Sequence, residues 1–63
     1  MNGKKLYEIR KKSGKTMRQI SIESGVTEGQ IRNIESGVTR NPRIETLAAL
    51  AKVLSCEVID FMD

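Results

Sequence analysis

The sequence predicts an all-α domain of five short helices, compact enough to share a single core. Three observations point there. Turn signals at Ser13-Gly14, Gly25, Ser36-Gly37 and Pro42 cut the chain into short pieces. Inside those pieces aliphatic residues recur three and four apart, the spacing that gathers side chains on one helix face. Strand signals are poor: β-branched and aromatic residues do not alternate, and the only aromatics are Tyr7 and Phe61.

Each element follows from a start signal, a period and a stop. The first helix is predicted over residues 4–12, with Leu6 and Ile9 on one face and glycine at its end. Thr16 is a candidate N-cap, with Gln19 three residues on, for a second helix over residues 17–24 that Gly25 stops. Thr27 caps a third helix, and Glu28 in its first turn suits the positive end of the helix dipole. Ile31 and Ile34 form its apolar stripe, and Ser36-Gly37 ends it. Residues 38–43 read as a loop, because Pro42 biases Asn41 away from helix. The fourth helix, residues 44–54, has the clearest period, with a core face of Ile44, Leu47, Ala48, Leu50, Ala51 and Leu54. A last short helix over residues 57–62 would set Val58, Phe61 and Met62 against the rest.

Composition narrows the classes of function. Sixty-three residues make one domain at most, and a chain this short buries only about 60% of its unfolded surface. Cys56 is the single cysteine, so no disulfide can form within the chain, which fits a reducing cytoplasm. Histidine is absent, which argues against a zinc site of the usual ligands, and no cofactor is expected. No apolar run reaches the length of a membrane span, and the expected location is cytoplasmic. Without a histidine or a dyad partner for Cys56, and with little room for a pocket, an enzyme is not expected.

Charge is unevenly placed. Residues 1–43 hold ten Lys and Arg against four Glu, a net +6, while residues 44–63 carry a net −3. A basic body with an acidic tail suits a polyanion on one side only, and on charge alone an ordinary solvated basic surface is an equal reading.

The informative segment is residues 16–37, TMRQISIESGVTEGQIRNIESG. Two short helices are joined by a tight turn. Ser21 is small where the helices cross, Gly25 can take the positive φ of the turn, and Val26 would plug the angle between them. Ile20, Ile31 and Ile34 would fill the shared core. This is the helix-turn-helix pattern. With Ile31 and Ile34 turned inward, Glu28, Gly29, Arg32 and Asn33 lie on the outer face of the third helix, with Gln30 beside them.

The segment resembles the helix-turn-helix family of Cro and the phage repressors, also called the xenobiotic-response-element family. The likeness includes Leu6, Ile9-Arg10, Ile34-Glu35-Ser36-Gly37, Arg40-Asn41-Pro42, Thr46-Leu47, Leu50-Ala51 and Leu54, in register from Leu6 to Met62. It implies a lambda-repressor-like fold spanning residues 1–63, and a sequence-specific binder of double-stranded DNA, a transcriptional regulator acting as a repressor. The third helix would lie in the major groove. Arg32 could bond guanine bidentately, Asn33 or Gln30 could pair with adenine, and Glu28 could accept from a cytosine amino group. By matching position, backbone contacts fall to Met17, Arg18, Thr27, Ser36, Thr39, Arg40 and Asn41, and Arg43 matches a minor-groove arginine. Arg10 and Glu35 match a pair joined in relatives by a largely buried salt bridge. The resemblance also implies a palindromic operator bound by a homodimer that meets around Ile44 and Cys56 to Ile59. It places the chain in a bacterial or phage-encoded, nucleoid-associated setting.

Several residues depart from the pattern. Met17 stands where the family usually has a polar residue, which leaves backbone N–H groups for that phosphate contact. Glu28 repels phosphate, and Gly29 puts no side chain on the reading face. Ile22 lies on the outer side of the second helix, either as a partner contact or as an isolated exposed hydrophobe. Ser55 replaces the glycine that normally follows the fourth helix, and Cys56 is expected to pack there as a small buried hydrophobe. Glu28, Gly29 and Ile22 favour the alternative, a protein-interaction module such as an antitoxin-like helix-turn-helix partner.

Overall fold

The computed structural model of the chain describes residues 1–62. Four α-helices follow in order: α1 (Gly3–Ser13), α2 (Met17–Ser24), α3 (Glu28–Ser36) and α4 (Ile44–Val53). A short 3₁₀ helix, Val58–Phe61, stands where a fifth helix was expected. Four residues are too few for a stable α-helix, and the tighter 3₁₀ turn suits so short a piece. There is no strand among the described residues. Among the described residues no helix is long and apolar enough to cross a membrane.

Capping explains the boundaries of α2 and α3. The Thr16 hydroxyl accepts from Gln19 N while Gln19 Oε1 accepts from Thr16 N. Thr27 and Gln30 repeat the arrangement at the start of α3. Each box satisfies two backbone donors that a helix start would otherwise strand. Between the helices Gly25 sits at φ 79°, in the left-handed region where a side chain is disfavoured, and reverses the chain.

The core is one cluster. Leu6 from α1, Ile20 from α2, Ile31 and Ile34 from α3, and Leu47, Leu50 and Ala51 from α4 meet Val26, Leu54 and Phe61. α1 packs mainly on α3, α2 packs on α4, and the 3₁₀ helix closes against α1 and α4. Phe61 is fully buried and makes that closure. Truncating such a residue to alanine costs about 3–5 kcal/mol, a large share of the stability of a domain this small.

Two expectations about the core need correction. The sequence period places Ile44 and Ala48 on the core face of α4, but both are exposed, Ile44 to 62%. The buried stripe is Leu47, Leu50, Ala51 and Leu54, with Ala49 partly buried beside it. Six small or aliphatic residues cover more of the helix circumference than one packed face can hide. Cys56 is half-buried rather than buried, at the edge of the core.

Ser55 N donates to Lys52 O at 3.3 Å and Cys56 N to Ala51 O at 2.9 Å. These are the two bonds of a Schellman turn. The turn requires a left-handed residue, and Ser55 takes it, at φ 55°.

Candidate nucleic-acid interface

Helix α3 turns Ile31 and Ile34 fully inward and leaves Glu28, Gly29, Gln30, Arg32 and Asn33 exposed. Among the described residues, the side chains of Arg32 and Asn33 make no ion pair or hydrogen bond. They present a five-donor fork and an amide to whatever approaches this face.

Gln30 is differently placed. Its Oε1 accepts from Thr27 N at 2.9 Å and from the Thr27 hydroxyl at 3.2 Å. A backbone N–H can only donate, so the carbonyl end of the amide must face the cap, and the Nε2 end faces outward. Bidentate pairing with adenine needs both ends, so it would have to open the capping box. The Thr-x-x-Gln spacing at Thr27 carried this signal in the sequence.

Gly29 sits on the exposed face with room to spare. Beyond its chain neighbours and the backbone of α3, the nearest atom to a β-carbon there would be the Thr27 hydroxyl oxygen, at 4.0 Å. Its glycine identity is required by no contact within the domain.

The loop after α3 folds back beside it. Thr39 N donates to Asn33 O at 3.0 Å, and the Ser36 hydroxyl donates to the same carbonyl at 3.3 Å. Gln30, Ile34, Thr39, Asn41, Pro42, Arg43 and Thr46 line one open cleft along this side of α3. The structure thus gathers Gln30, Thr39, Asn41 and Arg43. Arg43 is the N-cap residue of α4 but its side chain makes no capping bond and is exposed. Arg40 is also exposed. At the start of α2, Arg18 is exposed, while Met17 packs partly against the core.

Arg10 and Glu35 lie on the α1 side of α3. Arg10 Nε donates to Glu35 Oε2 at 2.7 Å and Nη2 donates to Oε1 at 3.0 Å. The guanidinium also sits 5.4 Å from the centre of the Tyr7 ring. The hydrogen bond to Glu35 raises the Arg10 pKa above its ordinary value, against a smaller lowering by burial. A second pair was not legible from the sequence. Lys15 Nζ reaches Glu23 Oε1 at 2.7 Å and Val53 O, the end of α4, at 3.1 Å. No periodicity places residues 15 and 53 together, since their approach depends on how α2 packs on α4.

The chain is 32% identical over 63 residues to the HTH-type transcriptional regulator SlrR of Bacillus subtilis (strain 168). The alignment covers all of this chain and 41% of that relative, so the chain spans less than half the relative's length. No solved structure matches it. The likeness read from Leu6 to Met62 is met by a match of residues 6–61 to the helix-turn-helix family, and the chain belongs to that family, of the Cro/C1 type.

Proposed function

We propose that this domain binds double-stranded DNA for a transcriptional regulator, with α3 in the major groove. The observation that carries the reading is the outer face of α3. Arg32 and Asn33 stand there exposed and without partners among the described residues, directly opposite the buried Ile31 and Ile34. Arg32 bonds guanine and Asn33 pairs with adenine. Gln30 donates from its outward Nε2, and Glu28 accepts from a cytosine amino group. Arg18, Thr27, Ser36, Thr39, Arg40 and Asn41 take phosphates, with backbone N–H at Met17, and Arg43 enters the minor groove. The net +6 of residues 1–43 supplies the attraction.

A module of this size buries about 600–1,000 Å² on DNA and holds weakly alone. The working unit is therefore two copies on a palindromic operator, with half-sites one helical turn apart. Ile44 and Ile59, exposed to 62% and 74%, lie in the regions assigned to the contact between copies. Such a regulator acts as a repressor when its site overlaps a promoter.

Selection of bound sequences from a random duplex pool tests the reading. It should return a two-fold symmetric site, and binding through about five phosphates per subunit should weaken with a log–log salt slope near −4 to −5 per subunit. An absence of salt-sensitive binding to any duplex would end it. Ile22, exposed to 72% on α2, is the observation that favours the second reading, a protein-interaction module, which predicts that absence.

A further inference from the structure

Gly3 stands against the end of α3. A β-carbon on it would lie 2.2 Å from the Ile34 carbonyl oxygen and 2.8 Å from that of Glu35. Both oxygens are backbone atoms of a packed helix and cannot swing aside. The φ of Gly3 is not in the left-handed region, so the glycine is not serving a turn. It is serving close approach.

The approach is held from both sides. Asn2 N donates to Phe61 O at 2.8 Å, and Asn2 Oδ1 accepts from Lys4 N at 3.1 Å as the N-cap of α1. The first turn of α1, kept in shape by its cap, therefore cannot back away without breaking the bond from Asn2 N to Phe61 O. Two turns further on, Arg10 grips the Glu35 carboxylate. α1 thus holds the last turn of α3 at two points, backbone at Gly3 and side chain at Arg10.

We propose that Gly3 is a positioning residue for α3: its missing side chain lets α1 abut the Ile34 and Glu35 carbonyls, and that abutment sets where the end of α3 and the loop at Ser36 to Thr39 stand. The functional consequence rests on the DNA-binding reading above. That loop bears the residues assigned to phosphate, so a displaced α3 end shifts the register of the reading face against the duplex. Such a shift costs selectivity before it costs attraction, because base contacts demand closer geometry than phosphate contacts.

The test is Gly3→Ala, with two readouts. The first is the backbone amide map of the DNA-free protein. The largest changes are expected from Ile34 to Thr39, including the Thr39 amide bonded to Asn33 O. The second is the ratio of affinities for a selected and a scrambled duplex. It should fall about tenfold, the worth of roughly one bidentate base contact, with scrambled-duplex binding changed by less than about twofold. A purely structural role would lower the melting temperature and leave that ratio alone in the folded fraction. Changes confined to residues 1–6 with an unchanged ratio would overturn the proposal.

Asn2→Ala carries the test if Gly3→Ala is unfolded at the working temperature. It loosens the first turn of α1 while placing nothing against the carbonyls, and should move the same α3 amides by less. Silent amides from Ile34 to Thr39 in that variant would also overturn the proposal. If the unaltered protein selects no duplex, the DNA reading fails, and the amide map alone decides whether Gly3 positions α3.

Discussion

Arg10 and Glu35 meet side-on, through Nε and Nη2, in two hydrogen bonds at 2.7 and 3.0 Å, with side chains only 13% and 8% exposed. The pair joins α1 to the last turn of α3. Glu35→Gln keeps the shape but strands the Arg10 charge in a nearly closed site. We expect a loss of about 3 kcal/mol, in the range for breaking a buried pair. Glu23→Gln, which removes the exposed partner of Lys15, should cost about 0–1 kcal/mol. Denaturant unfolding of the two variants checks the contrast, and equal losses would show that the Arg10–Glu35 pair has no special place. Because the hydrogen bond to Glu35 raises the folded-state pKa of Arg10, its contribution is complete below the ordinary guanidinium value and is lost only as pH rises through the raised one. The stability lost in Glu35→Gln should not vary through the neutral range on account of Arg10.

Ser55 holds a left-handed conformation, φ 55°, at the Schellman turn after α4. An L residue with a β-carbon is strained there by about 1–2 kcal/mol, and glycine recovers this less its own greater unfolded-state entropy. Ser55→Gly should therefore stabilise by about 0.5–1 kcal/mol, a rise of roughly 3–6 °C in the melting temperature. Ser55→Ala keeps the β-carbon and should give no gain. A gain in the alanine variant would assign the strain to the hydroxyl instead.

How much was legible in advance depended on the range of the signal. The bounds of α2, Met17–Ser24, follow from Thr16 and Gly25, which are local and act through the backbone. The register of α4 was harder. Ile44, Leu47, Ala48 and Ala51 form one stripe, and Leu47, Leu50, Ala51 and Leu54 form another sharing two members. Only the angle at which α4 meets α2 decides between them, and it exposes Ile44. Gly3 shows the opposite limit. Gly3 belongs to no turn or capping pattern in the sequence, and its contact lies thirty-odd residues away in α3.

Cys56 is shielded at the edge of the core. Burial raises its thiol pKa above the usual 9.0, and the nearby carboxylates of Asp60 and then Glu57 push the same way. The neutral thiol is thus favoured in the folded state. Its contribution to stability is complete below the unfolded pKa and declines as pH rises through the folded one. Alkylation rates measured across pH 7 to about 10 should show a higher midpoint in the folded protein than in urea. Coincident midpoints would contradict the shift.

Gly29 separates stability from recognition. Apart from its chain neighbours and the backbone of α3 itself, nothing comes nearer than 4.0 Å to a β-carbon at this position. Gly29→Ala should stabilise α3 by about 0.5–1 kcal/mol through helix propensity. The added methyl group stands on the face proposed to approach the bases, so affinity for a selected duplex should fall while thermal stability rises. If both rise together, the glycine is not there for close approach to DNA.

Arg32 and Arg40 test the division of labour across the proposed interface. Arg32 lies in the middle of α3's outer face, and Arg40 lies in the loop beyond its end. Arg32→Ala should relax preference at one base pair by about 1–3 kcal/mol, leaving the other positions of the site as selective as before. Arg40→Ala should weaken binding to selected and scrambled duplexes alike, and make the log–log salt slope shallower by about 1. Both substitutions remove one positive charge from an exposed site, so general attraction to the polyanion falls in each. Only the base-resolved profile tells them apart. A flat, uniform loss for Arg32→Ala would move that residue from the reading face to the phosphate contacts, and leave Asn33 to carry the purine preference.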